Sequence, residues 1–272
     1  MSTDHISTET DQPSFPTSIG TSTPTSMSLL GHDIATEMLG KVSFGELALW
    51  LMTQERPTLH QARVFDAVMV ALADHGLTPI AIASRLTLYS APESIQGALA
   101  AGLLGGGSRF LGVTEDTGRF LAEALNAADQ PPVSAADFDA LARTAITSAR
   151  AAGQLVPGLG HPVHKAGDPR VPVMIQIAKD EGQYGPQLQL FEAIGRVHPE
   201  ILGRALPLNG AGVCGAALAD IGVPLGLLRG AVLLARCAGL LGHLGEEMRR
   251  PIGEAVYMTV DRHAHYVADD HG

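Results

Sequence analysis

The sequence of 272 residues predicts an all-α fold. Apolar residues recur at helical spacing in many segments, and Ser, Thr or Pro stands where most of those segments begin. An alternating apolar and polar pattern of useful length is not found, so no strand is expected. Hydrophobic residues make up 46% of the chain but aromatic residues only 4%, so the core should pack through close contacts of small side chains.

Capping signals place the predicted helices along the chain. Ser43 and Thr58 each stand three residues before a Glu or Gln, which is the capping-box spacing. Thr78-Pro79, Pro92 and Ser134 mark three further starts. The predicted helices cover about residues 44–56, 59–74, a stretch from 79, 92–104, 114–127, a stretch from 135, 172–181, 188–197, 213–221 and 225–247.

The two ends of the chain differ from its middle in residue composition. Residues 1–27 are rich in Ser, Thr and Pro and hold almost no large apolar groups. Such a segment cannot bury enough surface to offset its ordering entropy, so we expect a disordered tail. Residues 251–272 are mixed, and His263, His265 and His271 mark a polar end.

Composition argues against several classes of partner. The net charge of −10 offers no electrostatic footprint for nucleic acid. The N-terminus lacks a basic region followed by an apolar one, so no signal peptide is expected. The apolar stretch 223–245 is broken by Pro224, Arg229, Arg236 and His243 and reads as a buried helix, not a membrane span. A cytoplasmic location is therefore the expectation.

Cysteine usage points to reduced thiols. Cys214 and Cys237 both lie in apolar runs, where buried free thiols are the simplest interpretation. A disulfide framework or a zinc site is not expected.

The segment 156–170 is the most unusual part of the chain. It combines prolines, glycines and two histidines and ends on Asp168-Pro169-Arg170. Pro and Gly both disfavour a helix interior, whereas the flanking segments read as helical. We therefore predict a kinked polar loop between helices that offers His161 and Arg170 to a substrate.

Three other chemical interpretations fit poorly. The 105–107 glycine run lacks the preceding strand and the following Lys-Ser/Thr of a phosphate loop, so a tight turn between helices is favoured. His161 and His164 have a metal-ligand spacing, but Pro162 breaks the helix that would pair them, and no metal site is predicted. Hydrolase chemistry lacks a nucleophile elbow.

Arginines in apolar surroundings are the stronger signal. Arg236 lies in a helix of Leu, Ala and Cys, where a guanidinium is costly unless it meets an anion or a carboxylate side chain. Together with Arg85, Arg109 and Arg170, it indicates either structural ion pairs or a bidentate site for a polycarboxylate or thioester ligand.

Several motifs, in order and spacing from about residue 37 to 257, resemble the citrate synthase superfamily. They lie at residues 73–79, 158–163, 168–170, 235–243 and 246–251. Within the superfamily, residues 107–110 are similar to the citryl-CoA lyase branch, including the lyase module of ATP citrate lyase. Citrate synthases have a catalytic His where this chain has Phe110.

The resemblance implies a helical homodimer with a large and a smaller inserted domain. The large domain would comprise residues 28–107 and 211–272, with the C-terminal tail, and the small domain residues 108–210. The implied reaction is cleavage of citryl-CoA to acetyl-CoA and oxaloacetate in an interdomain cleft. The CoA thioester would be the substrate, with no tightly bound cofactor and no metal.

The resemblance also implies roles for individual residues. His161 would hydrogen-bond the hydroxyl or keto oxygen of the oxaloacetate half and act as base. His75, the second expected catalytic residue, would bind the carboxylates of that half. The expected substrate-binding residues are Arg170, Arg236, Arg85, Arg109, Asn209 and Arg250, the last reaching in from a partner subunit. The expected coenzyme A contacts are Ser108, Phe110, Gly158, Gly160 and Lys165, with backbone N–H groups of 108–110 as donors to the enolate oxygen.

One departure from the family pattern bears on mechanism. The superfamily's catalytic Asp, in an Asn-Val-Asp-Gly pattern, aligns with Ala211, which cannot transfer a proton. Citryl-CoA cleavage is nevertheless the leading hypothesis. The alternatives are a condensing enzyme that uses another keto acid, and a non-catalytic paralogue that binds carboxylates or CoA.

Overall fold

The computed structural model describes residues 14–160 and 167–268, apart from the side chain of Phe110. Twelve α-helices account for most of this part of the chain. They are α1 (Phe44–Thr53), α2 (Leu59–Leu72), α3 (Pro79–Ser90), α4 (Ile95–Leu104), α5 (Ser108–Leu111), α6 (Val113–Asn126), α7 (Ala135–Ala151), α8 (Arg170–Asp180), α9 (Pro186–Leu202), α10 (Gly210–Asp220), α11 (Leu228–Arg249) and α12 (Gly253–His263). The predicted all-α class is confirmed.

A small antiparallel sheet corrects the prediction for the N-terminal tail. Strands β1 (Gly20–Ser22), β2 (Met27–Leu29) and β3 (His32–Asp33) pair in chain order, so residues 20–27 are ordered here. The Thr23 hydroxyl accepts the N–H of Ser26 and closes the first turn. Strands of two or three residues are too short to show an alternating pattern, which is why the sequence did not reveal them.

Helix starts follow the predicted caps closely. Ser43 accepts the N–H of Glu46, and Thr58 forms a complete capping box with Gln61. Ser134 does the same with Asp137. These side chains satisfy N–H groups that the first turn of a helix leaves unpaired.

Three departures from the predicted helices have a clear physical reason. Pro92 lies in a turn, because Ser94 caps α4 and the helix begins at Ile95. Helix α10 begins at Gly210, earlier than expected, because Asn209 caps it. The polar end 251–272 holds a helix, α12, whose solvated surface hides the periodic apolar pattern.

Helix α10 lies at the centre of the core. Nearly all its residues are buried, and it packs against α2, α6, α8 and α9. Small residues permit this closeness: a Cβ at Gly215 would lie 2.2 Å from the Thr114 carbonyl oxygen on α6. The expected packing through small side chains is therefore present at the middle of the molecule.

Helix α11 packs against α2, α3, α4 and α6. Residues 225–249 are the one stretch of the described chain that is long and apolar enough to cross a membrane, and 33% of its most apolar window is buried. One side of α11 faces the core through Leu228, Leu240 and Leu244. Leu241 and Met248 are exposed on the other side.

A buried ion pair joins α3 to α11 and α12. Arg85 is 3% exposed, and its Nε donates to the Glu247 carboxylate over 2.6 Å. Its remaining groups donate to Glu246 at 3.0 Å and to the Arg250 carbonyl at 3.0 Å. Glu247 also accepts the N–H groups of Ile252 and Gly253 at the start of α12. Both charges are thus satisfied within the fold.

Arg85→Met is expected to destabilise the protein by about 3–5 kcal/mol, because it leaves the buried Glu247 carboxylate without its cation. Urea unfolding measures this loss. The exposed Arg262→Met serves as the control and should change stability by less than about 0.5 kcal/mol. An unchanged midpoint for Arg85→Met would contradict a structural role for this pair.

Candidate active site

A cleft of about 630 Å³ gathers most of the residues predicted to bind substrate. It lies where α2, α6, α10, α11 and the 154–160 loop meet. Its polar lining comprises His75, Arg109, Thr114, Asp116, Gln154, Arg170, Asn209 and Arg236. Gly158, Gly160 and Ala211 also line it. A deep, partly apolar cleft with convergent polar groups is the usual form of a small-molecule site.

Asn209 fixes the loop that forms one wall. Its side-chain N–H donates to the Gly160 carbonyl over 2.8 Å, while its Oδ1 accepts the N–H of Gly212 and caps α10. Backbone bonds join Gly160 to Pro207 and Asn209 to Gly158. Asn209 therefore positions the wall, in addition to lining the cleft as predicted.

Glycine is required in this loop for two reasons. Gly158 and Gly160 have φ values of 82° and 86°, in the left-handed region that disfavours other residues. A Cβ at Gly158 would also lie 2.6 Å from the ring of Phe191 and 3.3 Å from Gly212 Cα. The loop can thus lie directly on the start of α10, beside the cleft.

Asp168 holds Arg170 in a two-point ion pair. The Arg170 Nε and Nη2 donate to the two carboxylate oxygens over 3.0 and 2.8 Å. Nη1 donates to the Ala71 carbonyl, and a Cβ at Gly210 would lie 2.4 Å from the Arg170 Cζ. The guanidinium is therefore fixed at the cleft between α2 and α10, and its charge is largely offset by Asp168.

The Asp168 carboxylate is 3% exposed, and it also accepts the N–H of Gly210 over 2.7 Å. Burial alone would raise its pKa, but the hydrogen bonds and charge of Arg170 hold the pKa well below its ordinary value. From the sequence, Asp168 belonged to the family motif but had no predicted role. Its position beside Arg170 was the available signal.

Arg236 is a buried cation without such an offset. It is 7% exposed, and its Nε is buried with no hydrogen-bond partner among the described residues. Burial lowers the pKa of its guanidinium, Arg170 lowers it further, and Asp74 opposes them. Of the two interpretations open from the sequence, Arg85 matches the structural ion pair and Arg236 matches a site for an anion.

His75 lines the cleft from the segment that follows α2. Asp74 shapes this segment by accepting the N–H of Gly76 over 2.9 Å, and Gly76 has a φ of 71°. His243 on α11 lies 2.8 Å from the other oxygen of Asp74. Burial would raise the pKa of Asp74, but these hydrogen bonds lower it overall.

The predicted coenzyme A contacts are only partly in the cleft. Gly158 and Gly160 line it, whereas the Ser108 hydroxyl accepts a hydrogen bond from Arg229 outside it. Ser108, Arg109 and Phe110 form the first turn of α5, where backbone N–H groups have no partner within the helix. The side chain of Phe110 lies outside the described part of the chain, as do His161, His164 and Lys165.

Two predicted arginines lie elsewhere. Arg85 is buried in the ion pair with Glu247, so its position gives no support to the substrate-binding role predicted for it. Arg250 is exposed beside that ion pair and does not line the cleft of this chain. These arginines cannot be distinguished from Arg170 and Arg236 in the sequence, because burial and pairing depend on the folded chain.

His198 is a buried polar group that sequence reasoning missed. Its Nδ1 lies 3.0 Å from the Ile194 carbonyl, and its Nε2 accepts the N–H of Leu206 over 2.8 Å. It thereby ties α9 to the segment that supports the loop wall. A single His in an apolar helix gave no signal for this role.

Both cysteines are free thiols in this structure. Cys214 is a free buried thiol on α10, and burial raises its pKa to about 12, although Arg170 partly opposes this. Cys237 is free and partly buried. Within residues 14–160 and 167–268, His, Cys, Asp and Glu form no cluster of three that could hold a metal ion.

Asp168→Asn is expected to lower stability at pH 7 by about 2 kcal/mol, a value reduced because Arg170 is partly exposed. The depressed pKa of Asp168 stabilises the wild type fully above the ordinary Asp pKa of 3.8. This contribution begins to fall below pH 3.8 and is lost only as the pH passes the depressed pKa. In urea unfolding, the stability gap between wild type and variant should be constant from about pH 7 to about pH 5 and should narrow below about pH 4. The exposed Asp129→Asn is the control, and a pH-independent gap would contradict the prediction.

Comparisons with known proteins agree with this architecture. Residues 15–254 match the family described as citrate synthase, C-terminal domain. A curated citrate synthase from Deinococcus radiodurans is 28% identical over 253 residues, which cover 87% of this chain and 61% of that protein. The chain thus spans about three fifths of that relative's length.

Two solved structures share the fold over nearly the whole chain. Citryl-CoA lyase from Hydrogenobacter thermophilus is 25% identical, with a TM-score of 0.81 and coverage of 94% of this chain and 95% of that one. ATP citrate lyase from Methanothrix soehngenii, in complex with citrate and coenzyme A, gives 0.78 at 21% identity and covers 95% of this chain and 42% of that one. The chain therefore belongs to the citrate synthase family.

Proposed function

We propose that this protein cleaves citryl-CoA to acetyl-CoA and oxaloacetate. The observation that carries the proposal is the structural likeness to citryl-CoA lyase. That enzyme superimposes on 94% of this chain with a TM-score of 0.81, whereas three citrate synthases of known structure give TM-scores of 0.61 to 0.62. Citrate synthesis is therefore the weaker proposal.

The cleft has the charge that this substrate needs. Citryl-CoA carries carboxylates on its citryl half, and Arg236 presents a buried guanidinium with an unpaired Nε. Arg170 and His75 line the same cleft, so three donors converge on the place where carboxylates would bind. A guanidinium in a low-dielectric site binds a carboxylate strongly and with fixed orientation.

The reaction is a retro-aldol cleavage with two requirements. A base must remove the proton of the tertiary hydroxyl, and donors must stabilise the thioester enolate that forms. We assign the first role to His161, which follows Gly160 directly in the chain. We assign the second to the N–H groups at the first turn of α5, which have no partner within that helix.

We also propose that the protein acts as a homodimer in the cytoplasm, on small molecules alone. Leu241 and Met248 are exposed on α11, and Leu227 is exposed just before it, so apolar side chains are available for a second copy to cover. In such a dimer, Arg250 would belong to the partner's cleft. Coenzyme A enters as a thioester substrate, and we assign no bound cofactor and no metal.

The direct test supplies citryl-CoA and follows oxaloacetate through coupled NADH oxidation. Turnover that His161→Ala removes supports the proposal. Condensation of acetyl-CoA with a different keto acid would replace it by the condensing alternative. Tight binding of citrate or coenzyme A in calorimetry, without turnover of any thioester, would replace it by the binding paralogue that Ala211 brings into consideration.

Arg236→Met is expected to raise the KM for citryl-CoA by about 100-fold, a loss of about 3 kcal/mol of binding to a charged partner. Its thermal stability should stay equal or rise, because an unpaired buried charge is removed. Steady-state assays and thermal unfolding measure the two effects. Arg85→Met is the matched control and should show the opposite pattern, with lower stability and a KM near that of the wild type in the folded fraction.

A further inference from the structure

We propose that Asp116 is the catalytic acid–base group for the acetyl half of the substrate. The inference rests on the proposed function, because it concerns the same cleft and the same reaction. It identifies a carboxyl group that performs the proton transfer for which Ala211 is unsuited.

The reaction cannot finish without a proton donor. When the hydroxyl proton passes to the base, the C–O double bond forms as the C–C bond breaks. The electron pair of that bond goes to the thioester enolate. An acid must then give its proton to the enolate carbon to form the methyl group of acetyl-CoA. The proton lost from the hydroxyl balances the proton given to the enolate carbon, so no other reactant is needed.

Few groups in the cleft can supply that proton. Arg109, Arg170 and Arg236 line it, but a guanidinium does not release a proton in the accessible pH range. Ala211 lines it and has no titratable group. Among the described lining residues, this leaves His75, which we place at the carboxylates, and Asp116, which is the one carboxyl group.

Asp116 is also uncommitted, unlike the carboxylates around it. Glu115 pairs with Arg119 and Arg229 at 3.0 and 2.8 Å. Asp168 is paired with Arg170, and Asp74 is paired with His243. In the described part of the chain, the Asp116 side chain has no hydrogen-bond or ion-pair partner. A carboxyl group that lines a cleft without a structural partner is available for proton transfer.

The position of Asp116 suits this role. It lies in the first turn of α6, on the helix face that also presents Val113 and Phe120 to the cleft. A Cβ at Gly215 would lie 2.2 Å from the Thr114 carbonyl oxygen, and one at Gly158 would lie 3.2 Å from the Thr117 hydroxyl, so the start of α6 is closely packed against α10 and the loop wall. The N-terminal end of a helix stabilises a carboxylate, which is the form left after the proton is given.

The decisive experiment compares wild type with Asp116→Asn in two reactions. In citryl-CoA cleavage, kcat should fall by at least about 100-fold while KM changes by less than about threefold. In the second reaction, acetyl-CoA is incubated in D₂O with malate, a dicarboxylate that cannot condense with it. Mass spectrometry then measures deuterium in the acetyl methyl group, whose exchange should depend on Asp116.

Glu123→Gln, at an exposed carboxylate later on α6, is the matched control and should behave as wild type in both reactions. Exchange that persists in Asp116→Asn overturns the assignment. Lack of exchange in the wild type also overturns it, because a group that protonates the enolate carbon must, in the reverse direction, remove a proton from the acetyl methyl group. Exchange without citryl-CoA cleavage keeps the assignment and rejects the lyase proposal. The two failures are therefore distinguishable.

Discussion

The ion pair between Asp168 and Arg170 is the contact on which the cleft depends. Through it, the start of α8, the end of α2 and the start of α10 converge within hydrogen-bond distance. Gly210 must lack a side chain for the guanidinium to lie there. Because Asp168 is almost fully buried, the pair is held in a low-dielectric place where its geometry resists solvent competition. Arg170 is thereby oriented before any ligand arrives.

The two buried arginines show how one residue type serves opposite purposes. Arg85 is surrounded by two carboxylates and a carbonyl, so its burial holds α3, α11 and α12 together. Arg236 is nearly as buried but lacks a compensating partner at its Nε, so its burial costs stability and prepares a site for an anion. Stability and binding are thus divided between two positions on neighbouring helices.

Citryl-CoA cleavage in this cleft requires a residue other than Ala211 to donate a proton to the enolate. Ala211 occupies a lining position without a proton to give, while Asp116 faces the same space from α6. In the proposed reaction, an acid on α6 changes the direction from which the enolate carbon is protonated. The positions of Arg170 and Arg236, which we propose to bind the carboxylates, are unaffected by this change.

The sequence by itself determined the helical class, most helix starts and the family. Capping side chains such as Thr58 and Ser134 act on N–H groups three residues away, so they can be recognised from local residue spacing. The motif glycines were equally clear, because Gly158 and Gly160 need a backbone conformation that other residues disfavour.

Only the tertiary structure decided which charges are free. Arg85 and Arg236 look alike in sequence, and their difference arises from Glu247, which lies 162 positions from Arg85 along the chain. Asp116 could be identified only from the packing of α6 beside the cleft. The short N-terminal strands could be identified only from their pairing. Ion pairing, cleft lining and strand pairing join residues distant in the chain, and one-dimensional spacing does not record those distances.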